Sequence, residues 1–366
     1  MTITRYIIWI GLTVVYFVLL TMAQYPLRKR RLIPVRLIVL IVKAVLALAV
    51  AFFIISTDHP FALQFGFYLA PLYVVLVGDV AGDIISLPIV LIRKRKSSAF
   101  IQNILCMFLV MIYLAFGTAN MQIVTANRVS IKSAKLQNKY KIVFVSDVHM
   151  GSAQSFDTIE NMIVKISIEN PDFVILGGDI VDEYTSKEDM ERVFAEFGRL
   201  KVPVYYIYGN HDRQGGAGYI GGRTYSDDDL KNAISSNQIF ILKDEWFCQG
   251  DDLMVIGRED YSSENRKDLS SADLGFSGFI LVADHSPYEC DENTKYGADL
   301  QLSGHTHAGQ LFPLKTLYNH TGYDAYGFYK HGDTELYVSS GASGWSIPFR
   351  SEEGCHFDVI ALEPEG

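Results

Sequence analysis

Lys141-Ile-Val-Phe-Val-Ser-Asp-Val-His149 is a short apolar run that ends abruptly in a carboxylate and an imidazole two residues apart. The pattern repeats downstream. Asp172-Phe-Val-Ile-Leu176 runs into Gly177-Gly-Asp179 with Asp182 three residues on, and Val202–Tyr208 runs into Gly209-Asn-His-Asp212. Phe279–Ala283 runs into Asp284-His285, and Asp299–Ser303 into Gly304-His-Thr-His307. Continuous apolar runs of this length suggest strands buried on both faces. Helices fit between them. Asp157–Asn170 places Ile159, Met162, Ile163 and Ile166 at helical spacing before Pro171, and Ser186-x-x-Asp189 opens a second helix with Met190, Val193, Phe194 and Phe197 as its apolar stripe. Strands and helices in this alternation form βαβ units, whose sites gather beyond the carboxyl ends of the strands.

Seven metal-competent side chains are thereby expected on one sheet edge: Asp147, His149, Asp179, Asn210, His285, His305 and His307. Carboxylate, imidazole and one amide oxygen suit manganese, iron or zinc better than a thiolate site would. Two divalent ions bridged by one carboxylate would hold a hydroxide and clamp a phosphoryl oxygen. Each fragment alone has a duller explanation, since Asp-x-His after a strand is usually turn chemistry. Five fragments in order, each at a strand end, are not explained that way. His320, His331 and His356 lack such context and receive no role.

These residues resemble the calcineurin-like metallophosphoesterase superfamily over residues 141 to about 350, through Asp-x-His, Gly-Asp-x-x-Asp, Gly-Asn-His-Asp, a lone His and Gly-His-Thr-His. Ser303–Gln310 and His285-Ser-Pro287 are most similar to its membrane-associated bacterial branch, although that branch usually has Gly where this chain has Ala308, a change expected to be tolerated. The tail Cys355-His-Phe-Asp358 also departs from the Pro-Glu of that branch, which leaves the last strand less secure. The resemblance implies an α/β fold, a four-layer αββα sandwich, with a second sheet drawn largely from Ile239–Leu242, Leu253–Ile256 and Glu335–Ser339. It implies that Asp147, His149, Asp179 and His307 hold the first metal, and that Asp179 bridges to a second completed by Asn210, His285 and His305. Manganese is the expected ion, with zinc, iron or magnesium as alternatives. His211 would donate the leaving-group proton, oriented by Asp182, and Asp212 would be a structural partner of its loop.

Outward from this domain the chain changes character. Residues 1–120 carry eleven Lys and Arg against the acids Asp58, Asp79 and Asp83, a charge of +8, whereas the remainder carries −17 and the whole −9. A net acidic chain lacks the basic footprint of nucleic-acid binding. Tyr6–Ala23, Leu37–Ile55, Leu72–Ile92 and Phe100–Ala119 are each long enough to cross a ~30 Å hydrocarbon core. They define a four-helix transmembrane region over 1–120, followed by a linker over 121–140 and the hydrolase-like domain over 141–366. The basic run Arg28–Arg31 follows the first apolar stretch, a stop-transfer arrangement and not a signal peptide. Arg28, Lys29, Arg30, Arg31 and Arg36, with Arg93, Lys94, Arg95 and Lys96, place two loops in the cytoplasm, against Arg5 alone on the other side. The domain is then extracytoplasmic on a multi-pass cell-membrane protein.

Within the spans, Lys43 and Asp83 fall at similar depth and form a helix-locking pair, with Asp79 on the face of Asp83. A proton or substrate path is the functional alternative for such charges. The expected function is hydrolysis of a phosphomonoester or phosphodiester on a lipid or lipid-linked substrate, by metal-activated hydroxide attack with His211 as general acid. The rival is a transporter or sensor with a regulatory phosphoesterase domain. Partners are the lipid bilayer and that substrate, not nucleic acid; protein partners are not indicated. Gly215–Gly222 reads as a surface loop, or as a lid with Tyr219 and Ile220 at its tip. Cys248, Cys290 and Cys355 leave room for one disulfide.

Overall fold

The computed structural model describes residues 3–29, 33–55, 60–93, 99–151, 153–213, 223–268 and 275–365. The Gly215–Gly222 segment lies outside them. Two compact units result, Met1–Ala119 and Asn120–Gly366.

The first unit is built from α1 (Ile3–Lys29), α2 (Ile33–Ile55), α3 (Pro60–Arg93) and α4 (Ala99–Gln122). Each holds a stretch long and apolar enough to cross a membrane: Ile7–Pro26, Pro34–Ile54, Gly66–Pro88 and Ile101–Gln122. The third element runs as one helix through Pro71 and Pro88 and starts well before Leu72. Gly78 lets α3 and α4 approach closely, because a Cβ there would stand 2.5 Å from Val110 Cγ2. Small residues serve this purpose where apolar burial alone cannot drive helices together.

A polar network ties the four helices. Lys43 Nζ donates to Asp79 Oδ2 at 2.7 Å and also to Asp83. Gln24 Nε2 donates to Asp79 Oδ2 at 3.0 Å, and Gln102 Nε2 donates to Asp83 Oδ1 at 2.7 Å and Ser86 Oγ at 3.0 Å. The expected Lys43–Asp83 pair is thus a triad with Asp79, and α1 and α4 contribute an amide each. Removing one partner of a buried ion pair typically costs about 3–5 kcal/mol, whereas removing all charges together costs far less. Lys43→Met is therefore expected to lower the detergent melting temperature sharply. Lys43→Met with Asp79→Asn and Asp83→Asn should melt near wild type, and equal losses in both would refute an electrostatic lock.

The second unit contains two six-stranded sheets. The first joins β1 (Val124–Ser133), β2 (Tyr140–Val145), β3 (Phe173–Gly177), β4 (Val204–Ile207), β5 (Ile239–Ile241) and β12 (Cys355–Pro364), in the order β1-β12-β2-β3-β4-β5. The second joins β6 (Glu245–Gln249), β7 (Leu253–Gly257), β8 (Phe279–Ala283), β9 (Leu300–Ser303), β10 (Gly327–His331) and β11 (Thr334–Val338), in the order β10-β11-β9-β8-β7-β6. Ile142, Phe144, Phe173 and Ile175 of the first sheet meet Val255, Leu281, Leu300 and Leu302 of the second in one buried cluster. Burial of each such side chain contributes about 1.5–3 kcal/mol.

The outer face of the first sheet is covered by α5 (Phe156–Glu169), α6 (Lys187–Phe197) and α8 (Asp227–Ser236). Ser155, Ser186 and Ser226 cap them, each hydroxyl accepting a backbone N–H of the first turn. α7 (Asn210–Arg213) is a single turn after β4, and α9 (Cys290–Thr294) packs Cys290 on Leu336 and Val338 of the second sheet. α10 (Leu314–Thr321) precedes β10. The layers are those of an αββα sandwich.

Four expectations change. Residues 121–140 are not a free linker: β1 occupies Val124–Ser133 and pairs in parallel along all ten residues of β12. Ile239–Ile241 extends the first sheet beside β4 and does not belong to the second. Asp358 anchors β12, the strand left less secure by the sequence, accepting hydrogen bonds from Tyr337 Oη at 2.6 Å, Ser339 Oγ at 2.5 Å and Asn127 Nδ2 at 2.8 Å. All four cysteines are free thiols, so the disulfide left open does not form.

Candidate metal centre

Strands β2, β3 and β4 run parallel in one sheet and β8 and β9 in the other. Their carboxyl ends deliver the seven expected ligands from two packed sheets, which corrects the single edge inferred from sequence. The side chains fall into two groups whose ligand atoms lie within 4.8 Å of one another: Asp147, His149 and His307, and Asp179, His285 and His305. Asn210 joins the second group, its Oδ1 2.9 Å from His305 Nδ1. Asp179 Oδ2 is 3.0 Å from His285 Nε2 and 3.8 Å from His149 Nε2, so it faces both groups.

The backbone is held in an unfavourable form to achieve this. Asp147, His149, Asp179, His305 and His307 all have φ between +46° and +71°. Left-handed backbone is uncommon for non-glycine residues and clusters where function requires it. Ala308 sits there too, at φ +48° and fully buried, where the related branch has Gly. Gly304 has a different constraint, since a Cβ would overlap the Asp147 carboxylate. Asp212 fixes the second strand end by accepting from the N–H groups of Asp179 at 2.7 Å, Gly209 at 2.9 Å and Val181 at 3.2 Å.

Charge and tautomer also favour cation binding. His285 Nδ1 donates to Gly177 O at 2.8 Å and His307 Nδ1 to Ser343 O at 3.1 Å, which leaves Nε2 of each ring as the atom that faces the carboxylates. Burial holds the His307 imidazole down at about 3, and burial with neighbouring His285 holds His305 at about 4. Both are thus neutral, the form a metal requires. Burial opposes the Asp179 carboxylate, but His285 and His211 outweigh it and keep the group well below the usual carboxylate range. His149 is fully buried with no hydrogen-bond partner on either ring nitrogen. Leaving a buried polar group unsatisfied costs about 1–3 kcal/mol. A divalent ion beside His149 removes that cost, and the oxygen and nitrogen donor set fits such ions.

His211 stands beside both groups, its ring 5.1 Å from that of His149 and 5.4 Å from the indole of Trp345. Burial disfavours the imidazolium, but Asp179 and Glu183 outweigh it and raise the ring to about 9. The carboxylate bonded to His211 Nδ1 is Glu183, with Oε2 at 2.8 Å. Asp182, expected in that place, accepts the Tyr184 N–H at 2.9 Å on Oδ1 and turns Oδ2 toward His149 Nδ1 at 3.4 Å. The tight turn explains the exchange: once Asp182 caps the next backbone amide, its neighbour faces the His211 loop.

Two further contributors carried no sequence signal. Fully buried Arg350 donates to the carbonyls of His307 at 2.9 Å and of Ser340, Ser343 and Glu353 at 2.6 Å each. It clamps the Gly304–His307 loop to the segment after β11. Tyr288 Oη lies 3.1 Å from His305 Nε2.

Residues 140–309 match the family described as calcineurin-like phosphoesterase. The chain is similar to a metallophosphoesterase of Helicobacter pylori strain J99, 32% identical over 63% of this chain and 62% of the relative. It therefore spans less than two thirds of that relative's length. A Campylobacter jejuni metallophosphoesterase is 26% identical over 77% of this chain and 76% of its own. A Danio rerio protein named as a transmembrane protein with a metallophosphoesterase domain is 25% identical over 85% of this chain and 76% of its own. With its two ligand groups set at the ends of two packed sheets, the region that matches the calcineurin-like phosphoesterase family follows four helices long and apolar enough to span a membrane.

Proposed function

We propose that the chain is a membrane-anchored phosphoester hydrolase that uses two divalent ions, manganese foremost, and acts on a lipid or lipid-linked phosphomonoester or phosphodiester outside the cytoplasm. The observation that carries this reading is the pair of ligand groups faced by one carboxylate, Asp179, with the His211–Glu183 pair beside them. Asp147, His149 and His307 would hold one ion and Asn210, His285 and His305 the other, with Asp179 between. Bound ions would supply the attacking hydroxide and neutralise the phosphoryl oxygens.

The protein's own part is proton delivery and order. As the bond from phosphorus to the leaving oxygen breaks, His211 Nε2 gives that oxygen its proton. Glu183 holds Nδ1 and stabilises the imidazolium beforehand. Asp212 and Arg350 keep the loops that bear Asp179 and His307 from shifting. The basic loops of the first 120 residues support an outward-facing domain. A lipid substrate is supported by the chain itself, in which only Ile123 separates α4 from β1.

Full-length protein in detergent, stripped with chelator and reloaded with Mn²⁺ or Zn²⁺, tests the proposal against phospholipids, isoprenoid phosphates, lipid-linked sugars and soluble chromogenic esters. We expect no turnover without metal, recovery with Mn²⁺, and kcat/KM at least about tenfold higher on a lipid-linked ester than on its soluble counterpart, a difference of ~1.4 kcal/mol. Metal-independent turnover would overturn the two-ion reading, and no turnover with any metal on any ester would overturn the hydrolase one. Preference for the soluble ester would overturn the lipid one.

A further inference from the structure

Among the described site imidazoles, His305 is held differently from its neighbours. His285 and His307 each direct Nδ1 to a backbone carbonyl, and His211 directs Nδ1 to a carboxylate. His305 has Nδ1 2.9 Å from Asn210 Oδ1 and Nε2 3.1 Å from the hydroxyl of Tyr288. A carbonyl can only accept, so it fixes a tautomer outright. Asn210 Oδ1 likewise only accepts, so without an ion it takes the His305 proton on Nδ1, whereas Tyr288 Oη can donate or accept and so is able to serve either tautomer.

One partner of that phenol is Tyr323, whose hydroxyl is hydrogen-bonded to that of Tyr288. The rings pack in sequence: Tyr288 lies edge to face with His305 at 5.2 Å and 81°, and Tyr323 is tilted against Tyr288 at 5.6 Å. Tyr261 closes the group, 5.2 Å from Tyr288. Tyr288 itself stands on the turn Pro287–Glu289, three residues after His285. One short stretch, His285-Ser-Pro-Tyr288, therefore supplies a ligand of the second group and the outer partner of another ligand in the same group.

We infer that Tyr288 is the positioning residue for His305, and that it tunes the affinity of the second ion alone. This rests on the two-ion reading above. An ion held by Asn210 Oδ1 and His305 Nδ1 would replace the 2.9 Å hydrogen bond these atoms otherwise make and would require the His305 proton on Nε2. Nε2–H then donates to Tyr288 Oη, and the Tyr288 hydroxyl donates to Tyr323 Oη. The first group, with His307 locked by Ser343, has no part in this chain. Outer partners of metal-bound histidines are typically worth about ten- to a hundredfold in metal affinity.

Calorimetric titration of metal-stripped full-length protein with Mn²⁺ provides the test, with wild type, Tyr288→Phe and Tyr323→Phe in parallel. Tyr288→Phe keeps the ring packing and removes only the hydroxyl. Wild type should bind two ions. Tyr288→Phe should weaken one step about ten- to a hundredfold and leave the other unchanged, and Tyr323→Phe should weaken the same step by less. Activity of Tyr288→Phe should return toward wild type at saturating Mn²⁺, raising the metal requirement and sparing kcat. Two wild-type-like steps in Tyr288→Phe would overturn the inference while leaving the two-ion reading intact. Equal weakening of both steps would show a merely structural role and would overturn it as well. Failure of wild type to bind two ions would instead remove the reading on which it rests.

Discussion

Asp179→Asn abolishes turnover and leaves the domain folded: that is the largest effect expected from any single change in this chain. Asp179 is the carboxylate that faces both ligand groups, 3.0 Å from His285 Nε2 and 3.8 Å from His149 Nε2. An amide has the same shape and keeps an oxygen to accept the His211 N–H, a bond of 2.8 Å in the native protein. What it loses is the charge that, on the two-ion proposal, would hold two cations together. Loss of at least about a thousandfold in kcat is expected, equivalent to ~4 kcal/mol of barrier, with bound metal falling from two ions to one or fewer. Metal analysis by mass spectrometry, near-ultraviolet circular dichroism and turnover of a chromogenic ester measure the three quantities. Activity within tenfold of wild type in a folded variant would contradict the assignment of Asp179.

Replacement of His211 by Gln produces the second largest effect, and its size depends on the substrate. General acids contribute about 10²–10⁴ when the leaving group needs a proton. An alkoxide does, whereas a nitrophenolate departs without one. His211→Gln is therefore expected to lose about a hundredfold or more on an alkyl phosphoester and far less on the nitrophenyl ester. Glu183→Gln, which weakens the grip on Nδ1, should show the same leaving-group dependence in smaller measure. Asp182→Asn should instead affect both substrates alike, because that side chain faces His149. Matching profiles for Glu183→Gln and Asp182→Asn would argue against the assignment of Glu183 as the orienting group.

The legible parts of this protein are those where chemistry and periodicity coincide. Apolar runs that stop at Asp147, Asp179, Asn210, His285 and His305 lie on β2, β3, β4, β8 and β9, and burial on both faces is what makes such runs stand out. The four apolar stretches stand out for a similar reason, since a membrane-crossing helix needs little patterning beyond length. β1 was hidden because Val124-Thr-Ala-Asn-Arg-Val-Ser-Ile-Lys-Ser133 buries only Val124 and Ile131 and reads like a polar connection. β5 is three residues long, too short for any pattern to say which sheet it joins. Glu183 was missed because two adjacent carboxylates project in different directions, and the Asp182 turn decides which one meets His211. Tyr288 and Arg350 act through single hydroxyl and guanidinium groups with no repeating signal around them. Their roles exist only once distant loops are brought together.

The position of β12 also imposes an order on assembly. It lies between β1 and β2, yet it is synthesised after every other strand. Until Cys355–Pro364 leaves the ribosome, β1 has no neighbour, and one flank of β2 stands open with its Ile142, Val143, Phe144 and Val145 side chains in a chain already threaded through a membrane. Pairings between segments more than two hundred residues apart form slowly, because loop closure must precede any gain. An open apolar edge invites pairing with another chain in the meantime. The nascent protein thus passes through an interval in which its spans are in place but its larger sheet is split, and protection of that edge becomes a requirement of biogenesis.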